Sequence, residues 1–378
     1  MVETEMIEYR LNGPVSQERQ RIRVMAALRE CRFPQAILID GPGGIGKKAL
    51  AMEIAKALQC TDPNVRPCGK CFGCKMAMDP GATDNWVLPM ESKEAHARSA
   101  DEVSAGSVAK TVQDFKQAYI EEIVKNPYRI DVFGAGAEIS VDLVRNMTGS
   151  FALKGDRVRV VIIAEADRMN DSAANAFLKT LEEVPPDTYF VLTTSSRESL
   201  LQTIRSRCLA LHLLPLTDAE VRSETLRVLG DDEDAELSDD VVGLAVGSPG
   251  KALYYMNRAA PWCKLAADFV VYSLRNEYSE AFASLAEASL EDAAEANRFL
   301  EVLSFLLSDL LRKQAHAPLR LASTTGALDM DAFPRVDASA LELALSAVQE
   351  TMTRIASRRS APMVCLQSLS IKLFEGFK

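Results

Sequence analysis

The stretch that most constrains this chain is GPGGIGKK, residues 41–48, set between the apolar run AILID (36–40) and the helical pattern KKALAMEIAKALQ (47–59). A buried strand feeding a glycine-rich turn that opens a helix gathers backbone N–H groups around one point. The helix dipole and Lys47 add positive charge there, so G-x-x-x-x-G-K in this setting is a phosphate loop. Gly41, Gly44, Gly46, Lys47 and Lys48 are the candidate nucleotide-binding residues. The residue after Lys47 departs from the pattern. A Ser or Thr hydroxyl there ordinarily offers a lone pair to magnesium. A protonated Lys48 has none to offer and repels the cation. The cradle is present and its metal handle is missing.

Two further apolar runs, RVVIIAEAD (159–167) and TYFVLTTSS (188–196), read as buried strands. Between them DSAANAFLKTLEEVPP (171–186) reads as a helix opened by an acidic cap and ended by its prolines. This alternation predicts a parallel sheet covered by helices. The β content disappears near residue 215. LTDAEVRSETLRVLG (216–230) opens with a capping box, Thr217 and Glu220. From about 262 onward only helical periodicity is found, with polar linkers such as LASTTGALDMD (321–331).

The net charge of −10 argues against a uniformly basic nucleic-acid surface, so contact with DNA is expected to be local or shared. No run approaches the ~18 uninterrupted apolar residues of a membrane span, and MVETEMIEYRLNG at the start is acidic rather than signal-like. A cytoplasmic chain without a membrane role is the expectation.

Of the eight cysteines, four cluster in CTDPNVRPCGKCFGC. Cys60, Cys68, Cys71 and Cys74 follow a C-x7-C-x2-C-x2-C order, with Gly69 and Gly73 expected to let the knuckles turn. Four soft ligands in so short a span suit a closed tetrahedral zinc site, structural because no position is left open. Redox C-x-x-C chemistry is the rival, but it does not need four thiols. Cys31, Cys208, Cys263 and Cys365 are expected to be buried free thiols. His96 and His212 stand alone, without ligand spacing.

The segment MNDSAANAFLKTLEEVPPDTYFVLTTSSRESLLQTIRSRC (169–208) resembles the core of the bacterial DNA polymerase III clamp-loader subunits, the gamma/tau and delta-prime chains of the AAA+ class. The family pattern is N-A-L-L-K-T-L-E-E-P-P, a sensor strand, then S-R-C, interrupted here only at Val184. The resemblance spans residues 33–75 and 139–255 and takes in GSPGKAL (247–253), which is similar to the second sensor segment. It implies a RecA-like α/β AAA+ domain over 1–212, with the zinc module at 60–74 and an extra insert at about 91–136. A small helical lid over 213–258 and an all-α collar over 259–378 follow.

Asn175 lies ten residues after Glu165, the family's spacing, so Ala164 occupies the position of the magnesium-binding Asp. Two readings of Glu165 stand: it polarises a water, or it is a simple strand-end acid. Gly250 stands where ATPase subunits of the family carry an Arg that touches the γ-phosphate. Thr194, at the end of the sensor strand, joins the nucleotide-site candidates. With Lys48 and Ala164 both departing, the resemblance implies loss of hydrolysis and no Mg2+ anchor, and leaves ATP or ADP binding open. Arg207, in the intact S-R-C, then implies a finger reaching in trans into a neighbour's ATP site, as in delta-prime more than gamma. The implied partners are gamma/tau and delta subunits in a hetero-pentameric ring, the sliding clamp, and primed DNA indirectly. An active gamma-type ATPase is the alternative.

The insert departs from the family. SVAKTVQDFKQAYIEEIVKNP (107–127) places Val108, Val112, Phe115, Tyr119 and Ile123 on one helical face. A packed surface helix is the plain reading, and a partner-binding insert is the other.

Overall fold

The computed structural model describes residues 7–95, 111–134, 136–152, 157–230, 237–288, 290–321, 333, 336–356 and 361–376. His96, Val108 and the linker residues 322–331 lie outside them. The chain forms two compact units, residues 1–230 with 247–251, and residues 231–246 with 252–378.

Among the described residues the first unit holds seven strands: β1 (Glu8–Tyr9), β2 (Ala36–Asp40), β3 (Val65–Arg66), β4 (Trp86–Val87), β5 (Arg159–Ile163), β6 (Thr188–Thr194) and β7 (Leu209–His212). Five of them make a parallel sheet in the order β4-β5-β6-β2-β7, with Ile37 opposite Val191 and Val161 opposite Phe190. Strands β1 and β3 form a separate parallel pair. The apolar, β-branched runs of β2, β5 and β6 belong in strands buried on both faces. The pleat divides them: Ile37 and Ile39 enter one core cluster, Ala36 and Leu38 the other.

Its helices are α1 (Glu18–Arg29), α2 (Lys47–Gln59), α3 (Phe72–Met76), α4 (Ser92–Ala95), α5 (Val112–Lys125), α6 (Val141–Gly149), α7 (Asp171–Glu182), α8 (Gln202–Arg205) and α9 (Asp218–Leu229). One core cluster takes Leu50 and Ile54 of α2, and the other Phe177 and Leu181 of α7. The cap of α7 is Asn170, whose side chain accepts from the Ala173 N–H, so the expected acidic cap is corrected to an Asn followed by Asp171 in the first turn. Thr217 and Glu220 form the reciprocal capping box of α9.

Helix α5 is the body of the insert. Its cap is a second capping box, Thr111 with Asp114. Val112 and Phe115 pack beside the α7-side core, while Ile120 and Ile123 are fully buried in the α2-side core with Tyr119 against it. The helix bridges two clusters.

The second unit, with α10 (Asp239–Ala245), α12 (Ala259–Leu274), α13 (Tyr278–Glu287), α14 (Ala293–Gln314), α15 (Ala338–Ala356) and α16 (Pro362–Gly376), contains no strand among its described residues. Helix α11 (Pro249–Tyr255) begins within the first unit's share of the chain. Phe269 and Phe299 meet edge to face at 5.7 Å, and Asp309, fully buried, accepts the N–H groups of Arg320 and Leu321. No helix among the described residues is long and apolar enough to cross a membrane. Of the scattered thiols Cys263 and Cys365 are buried and Cys208 half-buried. Cys31 corrects the expectation: it lies exposed, in a left-handed residue that ends α1.

The insert helix belongs to the core by this packing. Ile123→Ala should cost about 2–5 kcal/mol in chemical denaturation, as for other buried large-to-small changes. A loss below about 0.5 kcal/mol, the size of a neutral surface change, would show that α5 is peripheral.

Candidate functional site

Because β2, β5 and β6 run parallel, their C-terminal ends open on the same edge of the sheet. The loops that follow them meet there, the usual place for a ligand in such sheets. Gly44 and Gly46 adopt left-handed φ angles of 73° and 103°, so the loop turns back on itself as the glycines allow. A cavity of about 210 Å³ is lined by Gly44, Gly46, Lys47, Lys48, Glu165 and Ser195, among others.

The ammonium of Lys47 donates inward, to the carbonyls of Gly41 and Pro42 at 2.7 and 2.6 Å and to Ser195 Oγ at 3.1 Å. Burial, then the like charge of Lys48, pulls Lys47 down to about 8, against Glu165, Asp167 and Asp40. Lys48 is buried as well, and burial lowers it too. Its Nζ donates to the Arg129 carbonyl at 3.0 Å and lies 5.6 Å from the Phe133 ring centre. The acceptor comes from the end of the insert.

Ala164 is fully buried at the end of β5. Glu165 follows in a left-handed conformation, φ 49°, its N–H donating to Thr193 Oγ1 and its carboxylate paired with Arg168 at 2.7 Å. The strand alternation turns Thr193 and Ser195 toward the cavity; the Thr194 hydroxyl instead donates to Asp167 at 2.6 Å. His212 is not the isolated histidine its spacing suggested. Its Nδ1 lies 2.6 Å from Asp40 Oδ2, the buried residue immediately before the loop. Ser195, Arg129, Asp167 and the Asp40–His212 pair were missed in the sequence, since contacts across so many residues leave no local pattern.

Arg207 lies away from this cavity, at the exposed end of α8. It donates to Glu182 at 2.8 Å and to the Thr203 carbonyl at 3.2 Å.

The four sulfurs of Cys60, Cys68, Cys71 and Cys74 lie within 4.8 Å of one another. Cys60 and Cys71 sulfurs are 3.7 Å apart, close to the ~3.8 Å edge that Zn–S bonds of about 2.3 Å give a tetrahedron. Backbone N–H groups of Cys68, Cys71 and Cys74 donate to the sulfurs of Cys60, Cys68 and Cys71. Burial raises the Cys71 thiol, but the N–H groups of Cys74 and Thr61 outweigh it and bring it down to about 6. Burial pushes Cys74 up. The donor set fits a thiophilic divalent ion. Gly69 turns the knuckle with φ +73°, as expected; Gly73 serves a different purpose, because a Cβ there would lie 1.8 Å from the Gln59 carbonyl. That approach fixes the module on the end of α2.

The family model described as DNA polymerase III, delta subunit, matches residues 16–217, over half of the chain and all three loops of the site. The chain belongs to that family. It is 32% identical over 218 residues to the DNA polymerase III subunit delta-prime of Pseudomonas aeruginosa, covering 57% of this chain and 53% of that one. It is 29% identical over 235 residues to the Escherichia coli subunit delta-prime, covering 61% and 57%. Subunit tau of Escherichia coli is 28% identical over 219 residues, 58% of this chain and 27% of that one. The chain spans about half the length of the delta-prime relatives it matches. Among solved structures a gamma-subunit-related protein of Thermotoga maritima aligns over 94% of this chain and 99% of its own, at 15% identity and a TM-score of 0.46.

The depressed Lys47 in this family member has a stability consequence. Between about 8 and the usual 10.5 the unfolded chain keeps a proton that the folded chain has released. Stability from this group therefore rises with pH through that window and is lowest below it. The unfolding free energy of the wild type, taken relative to Lys47→Met, should climb between pH 8 and pH 10. A constant difference would show that Lys47 titrates like an exposed lysine.

Proposed function

We propose that this chain is a non-hydrolysing clamp-loader subunit of the delta-prime type, which helps place a sliding clamp on primed DNA beside gamma/tau and delta subunits. The observation that carries the reading is Lys48, whose buried ammonium bonds the Arg129 carbonyl where a magnesium-binding hydroxyl would stand. With Ala164 in place of the second metal ligand, neither anchor for Mg2+ remains, and Glu165 is engaged with Arg168. Electrostatic stabilisation of a transferring phosphoryl needs that ion.

On this reading the parts are an AAA+ phosphate-loop domain over 1–212, a helical lid over 213–258 and a helical collar over 259–378, acting in the cytoplasm within a hetero-pentameric ring. Zn2+ held by Cys60, Cys68, Cys71 and Cys74 would cross-link the end of α2 to its knuckle. Its role is structural because four sulfurs close the coordination shell. ATP or ADP, where bound, would use Gly41, Gly44, Gly46, Lys47 and backbone N–H groups, with Thr194 near the strand end. The tau relatives support the alternative, an active gamma/tau-type ATPase.

Arg207 is the residue through which such a chain acts. Its bond to Glu182 is exposed, and pairs of that kind are worth about 0–1 kcal/mol, so a neighbour's phosphate can take the guanidinium cheaply. In an assembled loader, Arg207→Ala should leave the complex intact by size exclusion and lower DNA-dependent hydrolysis by about tenfold or more. Arg207→Lys should rescue little, because an ammonium lacks the planar fork. Clamp loading at the normal rate by the Ala variant would return Arg207 to an ordinary ion pair.

The purified chain should carry one zinc, and Cys71→Ser should lose it. A metal-free wild type that stays fully folded would end the zinc assignment.

A further inference from the structure

We propose that the groove between the cysteine knuckle and the start of β5 docks a short acidic segment of a partner protein, one that carries a bulky apolar side chain. The inference is independent of the clamp-loader reading. It concerns the opposite edge of the sheet from the glycine-rich loop.

The groove's place follows from the parallel strands. Asn85 immediately precedes β4, and Arg157 and Val158 precede β5, so these residues lie at the N-terminal edge of the sheet. Helix α2 starts at the glycine-rich loop and delivers Leu58 and Gln59 to this other edge, where the knuckle is seated. A cavity of about 650 Å³ opens between them, within the ~300–1,000 Å³ of sites that take up a ligand. Leu58 and Val158 are rooted in the α2-side core, and Met76 of α3 adds a third half-buried apolar wall. The Gln59 Nε2 donates to the Val158 carbonyl at 3.5 Å, which ties the end of the helix to the start of the strand.

The rim supplies an aromatic ring and two cations. Phe72, between Cys71 and Cys74, is 59% exposed and is the one aromatic among the large apolar side chains left exposed in the described residues. The fold of the knuckle does not require it: Gly69 makes the left-handed turn and Gly73 the close approach to α2. A ring held in water forgoes burial that an apolar side chain in the groove would restore. The Arg157 guanidinium lies 4.5 Å from the centre of that ring. A guanidinium over an aromatic face still presents its N–H edge to a carboxylate. Arg66 is held by its Nε, which donates to the Asp62 carbonyl at 2.8 Å, while Asp62 Oδ1 accepts the N–H groups of Asn64 and Val65. The described residues lining the groove include both arginines and no carboxylate, in a chain whose net charge is −10.

An apolar recess under two guanidinia suits a peptide whose apolar side chain fills the recess and whose carboxylates meet the forks. A nucleic-acid strand would need cations in a row along its phosphates and open platforms for successive bases. Two arginines and one ring over a recess do not supply that.

Fluorescence polarisation with the purified full chain tests the proposal, using fluorescein-labelled hexapeptides. Their two central positions are drawn from Leu, Ile, Met, Phe and Trp, and Asp or Glu fills the rest; a matched set carries Lys in place of the acids. Acidic members should bind saturably with micromolar Kd, and the Lys set should not. Phe72→Ala and Arg157→Glu should each weaken binding by about tenfold or more. Added salt should weaken the wild type more than Arg157→Glu. Both side chains are exposed, so the variants should keep the wild-type melting temperature; should Arg157→Glu melt early, Arg157→Gln serves. No acidic peptide binding below millimolar, or binding indifferent to both substitutions, would overturn the site. Saturable binding of labelled oligothymidylate that Phe72→Ala abolishes, without peptide binding, would overturn it in favour of single-stranded nucleic acid. Neither Phe72 nor Arg157 lines the glycine-rich cavity or contacts Arg207, so failure here leaves the clamp-loader reading standing.

Discussion

A buried ammonium needs an oxygen, and Lys48 finds one on Arg129. Much of the site follows from that bond. An amine without a partner at this depth would be expensive or would lose its proton. The carbonyl that satisfies it lies at the end of the insert, so the insert is held on the loop by the same residue that departs from the loop's sequence pattern. Lys47 is affected in turn. With a second cation beside it and little solvent, its ammonium folds back onto the carbonyls of Gly41 and Pro42. The loop thus satisfies the charge of its own lysine with its own carbonyls.

Helix α2 ties this loop to the cysteine module. Lys47 and Lys48 occupy its first turn, and Gln59 ends it, immediately before Cys60. The helix is buried along most of its length, so the loop at one end and the knuckle at the other share one rigid support. Gly73 shows how tightly the knuckle is seated on that support. A metal bound there would stiffen the same helix that positions the glycine-rich loop.

The central strands, the glycine-rich turn between β2 and α2, the clustering of the four cysteines and the capping box at Thr217 were legible in the sequence because each is a local pattern. A continuous apolar run, a glycine spacing or a box of Thr and Glu is written within a few residues. The edge strands β4 and β7 were not read, since two and four residues are too few for any period to register. The helix of the insert was legible as an apolar stripe, but Ile120, which is fully buried, lay off that stripe. The helix touches two core clusters rather than one, so its buried arc is wider than a single face. His212 was passed over because its partner, Asp40, stands 172 positions away. Gly250 was noted for the Arg it lacks, whereas its place in the fold depends on having no side chain at all. Tertiary proximity, not composition, decides each of these.

The central claim is that the chain keeps a phosphate loop without the reaction. DNA-stimulated ATP hydrolysis by the purified chain alone, measured across a magnesium series beside a Lys47→Ala control, tests it most directly. The account predicts turnover indistinguishable from the control at every magnesium concentration. Magnesium-dependent turnover that Lys47→Ala abolishes would contradict it, and would make this chain a working ATPase with unusual metal ligands.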